Sequence, residues 1–264
     1  MVLGLSFGQS GIYAILRLIR RLGEPTGLRD QTAAINNSVT EVGWLDVAYQ
    51  LFGAGFALVP IGLALYLLAI RPAWPGVKNS RLEAASAPAT TPTHPALEPT
   101  RFSPSRFLGL DLTQPLRDLA LGAALAAGIG LPGLGFYLLG RQLGITVQVT
   151  TNNLGQHWWT LPVLVVAAFA AGASEEIVVV GYLVRRLEAM AWAPWAILLT
   201  SATLRGSYHL YQGVGPFFGN LVMGLVFVWV FRRWGRVMPL VVAHWLMDIV
   251  AFIGPSLLAW PALS

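Results

Sequence analysis

Six ionisable side chains lie inside apolar stretches in the last third of this 264-residue chain. Glu175 and Glu176 are adjacent within Ala-Gly-Ala-Ser-Glu-Glu-Ile-Val-Val-Val-Gly-Tyr, Arg205 precedes His209 by four residues, and His244 precedes Asp248 by four. An ionisable group at bilayer depth costs at least about 2.5–3.5 kcal/mol on insertion scales, so such residues are rare and tend to be functional. Residues four apart share a helix face, which pairs Arg205 with His209 and His244 with Asp248. Neighbouring residues point about 100° apart, so one glutamate can face a common centre while the other reaches sideways to a partner. Three helices can thus aim a carboxylate, two imidazoles and a second carboxylate at one point. The set suits hydrolysis, in which a glutamate takes a proton from water and a histidine assists. Glu175, Glu176, Arg205, His209, His244 and Asp248 are the candidate site residues, either glutamate being able to face the centre.

Other uses compete for the same residues. A buried Glu–Arg or His–Asp pair also serves simply to hold helices together. Two histidines with carboxylates can ligate zinc, but His-Glu-x-x-His is absent, and the expected site holds no metal or other cofactor. A serine mechanism would use Ser207 with His244, yet the Gly-x-Ser context is missing because position 205 is Arg. With no Cys in the chain, disulfides, thiol catalysis and thiolate metal sites are excluded. Asn220 reads as an interhelical hydrogen-bonding residue, and Trp158, Trp159, Trp195 and Trp260 as interfacial anchors. His94 and His157 fall in a linker and a loop and receive no role.

The elements that must carry these groups are membrane helices. The chain is 55% hydrophobic and 11% charged, with a mean hydropathy of +0.63, against roughly a quarter charged residues in soluble proteins. The predicted fold is all-α, a polytopic bundle of about six spans plus an N-terminal amphipathic or partly inserted helix. The N-terminal region, 1–70, holds Ile12, Ile15, Leu16, Ile19 and Leu22 at helical spacing with Arg17, Arg20 and Arg21 opposite, a pattern suited to a helix in the membrane interface. Its charges follow the apolar stretch, so no cleavable signal peptide is expected. A first span covers Leu45–Ile70. Residues 71–114, rich in Pro and Ala and carrying Lys78, Arg81, Arg101 and Arg106, read as a solvated cytoplasmic linker.

Residues 115–264 then form the membrane core, with spans near Pro115–Leu139, Leu161–Leu183, Trp195–Leu210, Phe217–Phe231 and Val237–Leu258. Arg185 and Arg186, and Arg232, Arg233 and Arg236, fall on the linker side if every span crosses once, in accord with the positive-inside rule. The same count puts Arg17–Arg21 on the wrong side, and an extra N-terminal crossing is the alternative. Ala170, Ala171, Gly172, Ala173, Gly219 and Gly224 are small residues that let helices approach closely. The net charge of +5 sits at span ends, without the basic face and interleaved aromatics of a nucleic-acid binder. Membrane lipid is the expected environment, in a multi-pass protein of the bacterial plasma membrane.

At the polar residues the chain resembles the CPBP family of intramembrane proteases, which includes CAAX prenyl endopeptidases and bacteriocin-processing and self-immunity proteins. That family's pattern is Glu-Glu-x-x-x-Arg, then Phe-x-x-x-His, then His-x-x-x-Asn or Asp. The matching stretches are Glu175-Glu176 through Tyr182, Arg205 to His209, and His244 to Asp248, within about Leu161–Ile253. The resemblance implies cleavage of a peptide bond in the membrane by glutamate-activated water. Glu175 and His209 would activate the water, His244 and Asp248 would stabilise the oxyanion, and Glu176 would support them. The substrate would be a peptide or protein: a prenylated peptide, a leader peptide or a membrane-protein segment. The chain departs from the pattern twice, with Val180 in place of the family's Arg and Arg205 in place of its Phe. Arg205 is therefore expected to supply the missing cation from the neighbouring helix, bonding Glu176 or Glu175. A zinc-dependent variant and a non-catalytic peptide-binding or immunity factor are the alternative functions.

Overall fold

The computed structural model describes residues 2–70, 102–151, 154 and 157–257. Most of the expected linker, with Lys78, Arg81, His94 and Arg101, lies outside the described residues, as does Trp260.

The protein is an all-α polytopic bundle. A π-helical turn, Gly4–Gly8, leads into α1 (Gln9–Leu22), followed by a short strand β1 (Thr32–Ile35). Helices α2 (Gly43–Ala57) and α3 (Val59–Ala69) form one apolar stretch interrupted at Leu58, where Pro60 brings no amide hydrogen to the helix. After α4 (Pro104–Phe107) come α5 (Pro115–Gln142) and β2 (Gln148–Thr151). Helix α6 (Thr160–Glu175) passes through a π-helical segment, Glu176–Tyr182, into α7 (Leu183–Ala189). Then follow α8 (Pro194–Tyr208), α9 (Val214–Trp234) and α10 (Met238–Leu257).

Four stretches are long and apolar enough to cross a membrane among the described residues: Gly43–Ala69, Pro115–Gln142, Thr160–Ala189 and Val214–Trp234, while Met238–Gly254 is apolar but shorter. Helix α8, expected as a full span, has 15 residues and rises only about 22 Å, less than the roughly 30 Å of hydrocarbon. Its shortness has a use, since it ends at His209 inside the protein. The apolar window of Thr160–Ala189 is 67% buried and that of α5 only 6%. The α6–α7 stretch is therefore the central helix and α5 a lipid-facing wall. Helix α9 packs on α8, α10 on α5 and α6, and α2 on α6.

Both basic clusters meet at one end of the bundle, where Glu188 binds Arg185 and Arg232, each at 3.0 Å. At that end the last part of the expected linker packs onto the bundle in part. Leu108 is fully buried in the main core, and the backbone amide of Val237 donates to its carbonyl. At the opposite end β1 and β2 pair in parallel, Thr32 against Gln148 through Ile35 against Thr151. These four-residue strands are too short to show an alternation, and the sequence gives no sign of them.

The N-terminal helix does not simply lie flat. Val2 packs with Ala64 and Val178 inside the bundle, Gly11 meets Ser207 on α8, and Leu18 packs beside Val147 at the β-sheet end. It is a partly inserted arm running along α8, with Ile12, Leu16 and Ile19 more than half exposed on its outer face. Arg21 is held at the β-sheet end by Gln31 and the Thr32 carbonyl, away from the end where the other basic clusters meet.

Candidate active site

Three helices deliver the polar residues. Glu175 is the last residue of α6, and Glu176 opens the π segment. There the helical bonding slips by one residue: the Leu183 amide donates to the Val178 carbonyl, five residues back. Such π-bulges are rare and recur at functional sites. Arg205 lies in the last turn of α8, and His209 is its C-cap. His244 and Asp248 lie on α10.

Glycines set how closely these helices approach. A Cβ at Gly172 would lie 3.1 Å from the Trp245 amide nitrogen and 3.2 Å from the His244 Cβ, so the lack of a side chain here lets α10 bring His244 close against α6. At Gly224 a Cβ would lie 2.8 Å from the Ala202 Cα and 3.3 Å from the Arg205 Cδ. This glycine lets α8 and α9 close over the arginine. Gly219, singled out for the same reason, has only ordinary contact with Phe136.

The six ionisable residues form one connected chain. His209 Nε2 lies 3.9 Å from Glu175 Oε2, and Arg205 Nη1 lies 3.8 Å from the same oxygen. Arg205 Nη2 donates to Glu176 Oε1, the contact expected from the missing arginine at position 180. Glu176 Oε1 also lies 2.6 Å from His244 Nδ1. Because a carboxylate only accepts, Nδ1 carries the proton there. His244 Nε2 then faces Asp248 Oδ2 at 3.6 Å, too far for a hydrogen bond. Val180 is fully buried in the hydrophobic core and takes no part in the polar chain.

Burial divides this chain in two. The Glu176 and Arg205 side chains are 0% exposed, whereas those of Glu175, His209 and Asp248 are 13%, 18% and 20% exposed. The sealed half is an ion pair with a histidine attached. The open half is the less buried one, a carboxylate and an imidazole that each reach the surface in part, the imidazole with both ring nitrogens buried. Both ring nitrogens of His209, the Glu176 Oε2 and the Arg205 Nε lack a hydrogen-bond partner among the described residues. Buried polar atoms are nearly always paired, so such a concentration calls for an explanation. Among the described residues no group of three His, Asp or Glu side chains is placed to hold a metal ion. A guanidinium lies beside both glutamates, where a metal would have to compete with it.

Some expectations change. Ser207 Oγ donates to the Leu204 carbonyl of its own helix at 2.7 Å and faces Gly11, away from His244. Asn220 donates to the Pro216 carbonyl within α9 rather than across helices. Trp159 is buried in a second core cluster with Val163 and Phe252, while Trp158 and Trp195 are exposed. One residue of the site gave no signal beyond a hydroxyl in an apolar stretch: Tyr208 donates to Glu175 Oε2 at 2.7 Å.

Residues 157–250 match the family model described as Type II CAAX prenyl endopeptidase Rce1-like. No curated protein and no solved structure matches the chain.

Proposed function

From residues 157–250 as a CPBP-type, Rce1-like segment, we propose that the protein is an intramembrane endopeptidase in which Glu175 activates the attacking water and His209 assists. The match supports a CAAX-type intramembrane protease, and the integral membrane fold suits a substrate held in or at lipid. The division of burial carries the mechanistic reading. Glu175 is the glutamate of the open half, beside an imidazole whose nitrogens have no other partner among the described residues.

In this reading a water lies between Glu175 Oε2 and His209 Nε2, since a polar gap of 3.9 Å is of the kind a bridging water fills. The water oxygen attacks the scissile carbonyl carbon as Glu175 takes its proton. The carbonyl π pair moves to oxygen, giving a tetrahedral oxyanion. His244, its Nδ1–H committed to Glu176, offers Nε2 to that oxyanion when this nitrogen carries a proton, and Asp248 orients the ring. The C–N bond then breaks and the glutamate returns its proton to the leaving amine. Glu176 and Arg205 hold the open half in place.

The test is turnover of a farnesylated peptide ending in a CAAX sequence by the purified full chain in lipid nanodiscs, with an unprenylated leader peptide in parallel. Cleavage of the farnesylated peptide is expected. Tight binding of both peptides without turnover sinks the enzymatic reading and favours a peptide-binding factor.

A further inference from the structure

The N-terminal arm lies outside the matched residues 157–250, yet it reaches the proposed catalytic base through one side chain. Tyr208 is buried, and its hydroxyl donates to Glu175 Oε2 at 2.7 Å. This is the same oxygen that faces His209 and Arg205. The tyrosine ring is held from two sides: Phe7 of the arm lies 5.1 Å away and the His209 ring 4.9 Å away, centroid to centroid. Directly beside it, a Cβ at Gly11 would lie 2.7 Å from Ser207 Oγ, so the arm seats closely against α8.

We propose that Tyr208 is a positioning residue for Glu175 and that the N-terminal arm, through Phe7, keeps Tyr208 in place. A carboxylate at the end of a helix has two free torsions beyond its Cβ, and its other polar neighbours lie at 3.8 and 3.9 Å, beyond hydrogen-bond reach. The tyrosine hydroxyl is the short bond that fixes which way the oxygen points. Packing by the arm fixes the tyrosine in turn. The arm thus belongs to the working site although it bears none of the hydrolytic groups. The inference rests on the proteolytic reading for its use, but the Tyr208–Glu175 contact can be measured apart from activity.

The experiment compares wild type, Tyr208→Phe and Phe7→Ala, each as the full chain in nanodiscs. One readout is the rate of modification at Glu175 by dicyclohexylcarbodiimide, mapped by mass spectrometry; the other is kcat and KM on the farnesylated peptide. Tyr208→Phe keeps the ring and its packing, so the fold is retained. Labelling at Glu175 should rise several-fold with Glu176 unaffected. In parallel, kcat should fall about 10- to 100-fold, the loss expected for one hydrogen bond to a charged group, with KM unchanged. Phe7→Ala should move both readouts in the same direction by less. Unchanged labelling in Tyr208→Phe overturns the contact whatever the activity, and unchanged kcat in an active enzyme overturns its use. Unchanged behaviour of Phe7→Ala removes the arm from the account. Raised labelling in a protein that never cleaves peptide sinks only the proteolytic reading.

Discussion

Two arginines in this protein each bind a pair of carboxylates, and they do so in opposite ways. Arg236, at the end where the basic clusters meet, grips Asp118 with Nε at 3.0 Å and Nη2 at 2.6 Å, and reaches Asp111 Oδ1 at 3.1 Å and the Asp111 carbonyl at 3.2 Å. Each of its nitrogens has an acceptor, Nη1 finding Thr113 at 3.4 Å. Arg205 reaches Glu176 through one nitrogen and leaves Nε and Nη1 without hydrogen bonds among the described residues. The satisfied arginine ties the first turn of α5 and the segment before it to the α9–α10 turn. The under-satisfied one lies fully buried, next to the partly exposed Glu175 and His209. A bidentate clasp near water needs no further explanation, whereas an incompletely paired charge in an apolar interior is costly and rare.

The largest effect separating the two should come from Arg205→Leu. It leaves the Glu176 carboxylate buried without its cation, a loss of about 3–5 kcal/mol, and should abolish cleavage. Thermal unfolding and peptide turnover read both. Val180→Arg combined with Arg205→Phe should recover part of the stability by returning the cation to the glutamate helix. Arg205→Leu with normal expression, stability and cleavage would show that the two arginines are equally dispensable.

Arg236→Leu is the matching change at the other end. It should cost about 1.5–3 kcal/mol, the range for hydrogen bonds to charged groups, with kcat unchanged in the protein that remains folded. A large fall in kcat at full stability would blur the contrast. A third outcome concerns metal. If Arg205 is the cation of the site, turnover should survive exhaustive chelation and gain nothing from added zinc. Loss on chelation with recovery on zinc would replace the guanidinium with a metal in the mechanism.

The smallest effect is in the pH response of the clasp. Hydrogen bonds from the Thr113 side chain and amide, then Arg236, hold the Asp111 carboxyl at about 2, below its ordinary 3.8. A depressed folded-state pKa stabilises above the unfolded value and loses that contribution as the folded group protonates. The stability difference between wild type and Asp111→Asn should therefore be constant from neutral pH to about pH 5. It should shrink between about pH 4 and pH 2. Urea titration in detergent across this range reads it, and a difference independent of pH would exclude the ionised Asp111 as its source.

The same contrast shows what could be read from residues alone. Arg205 was legible because a charge in an apolar stretch is conspicuous, and because Val180 left Glu176 without a local partner. Those two facts pointed to a bond with Glu176 or Glu175, and the bond made is to Glu176. The Arg236–Asp118 clasp was not legible, since both residues look like ordinary span-end charges and stand 118 positions apart. His209, His244 and Asp248 stood out by i, i+4 spacing and Glu175 as one of two adjacent carboxylates in an apolar stretch, and the structure links them into one chain. Tyr208 was missed because a tyrosine among apolar residues looks the same as a core aromatic until its hydroxyl partner is known. The π segment after Glu175 was invisible because a slip in backbone bonding has no residue-type signature. Gly172 and Gly224 were legible as small residues, while their role in seating His244 and Arg205 required the partner helices.

In the proposed mechanism the adjacent glutamates divide the labour, Glu175 reacting and Glu176 holding. Glu175→Gln and Glu176→Gln measured side by side, for kcat on the farnesylated peptide and for thermal unfolding, test it most directly. The account predicts that Glu175→Gln keeps the wild-type melting temperature and loses about 10²- to 10⁴-fold in kcat, the range for a general base. Glu176→Gln should lower the melting temperature, because Arg205 and His244 lose the carboxylate that both of them bind. A Glu175→Gln protein that turns over at the wild-type rate would contradict it.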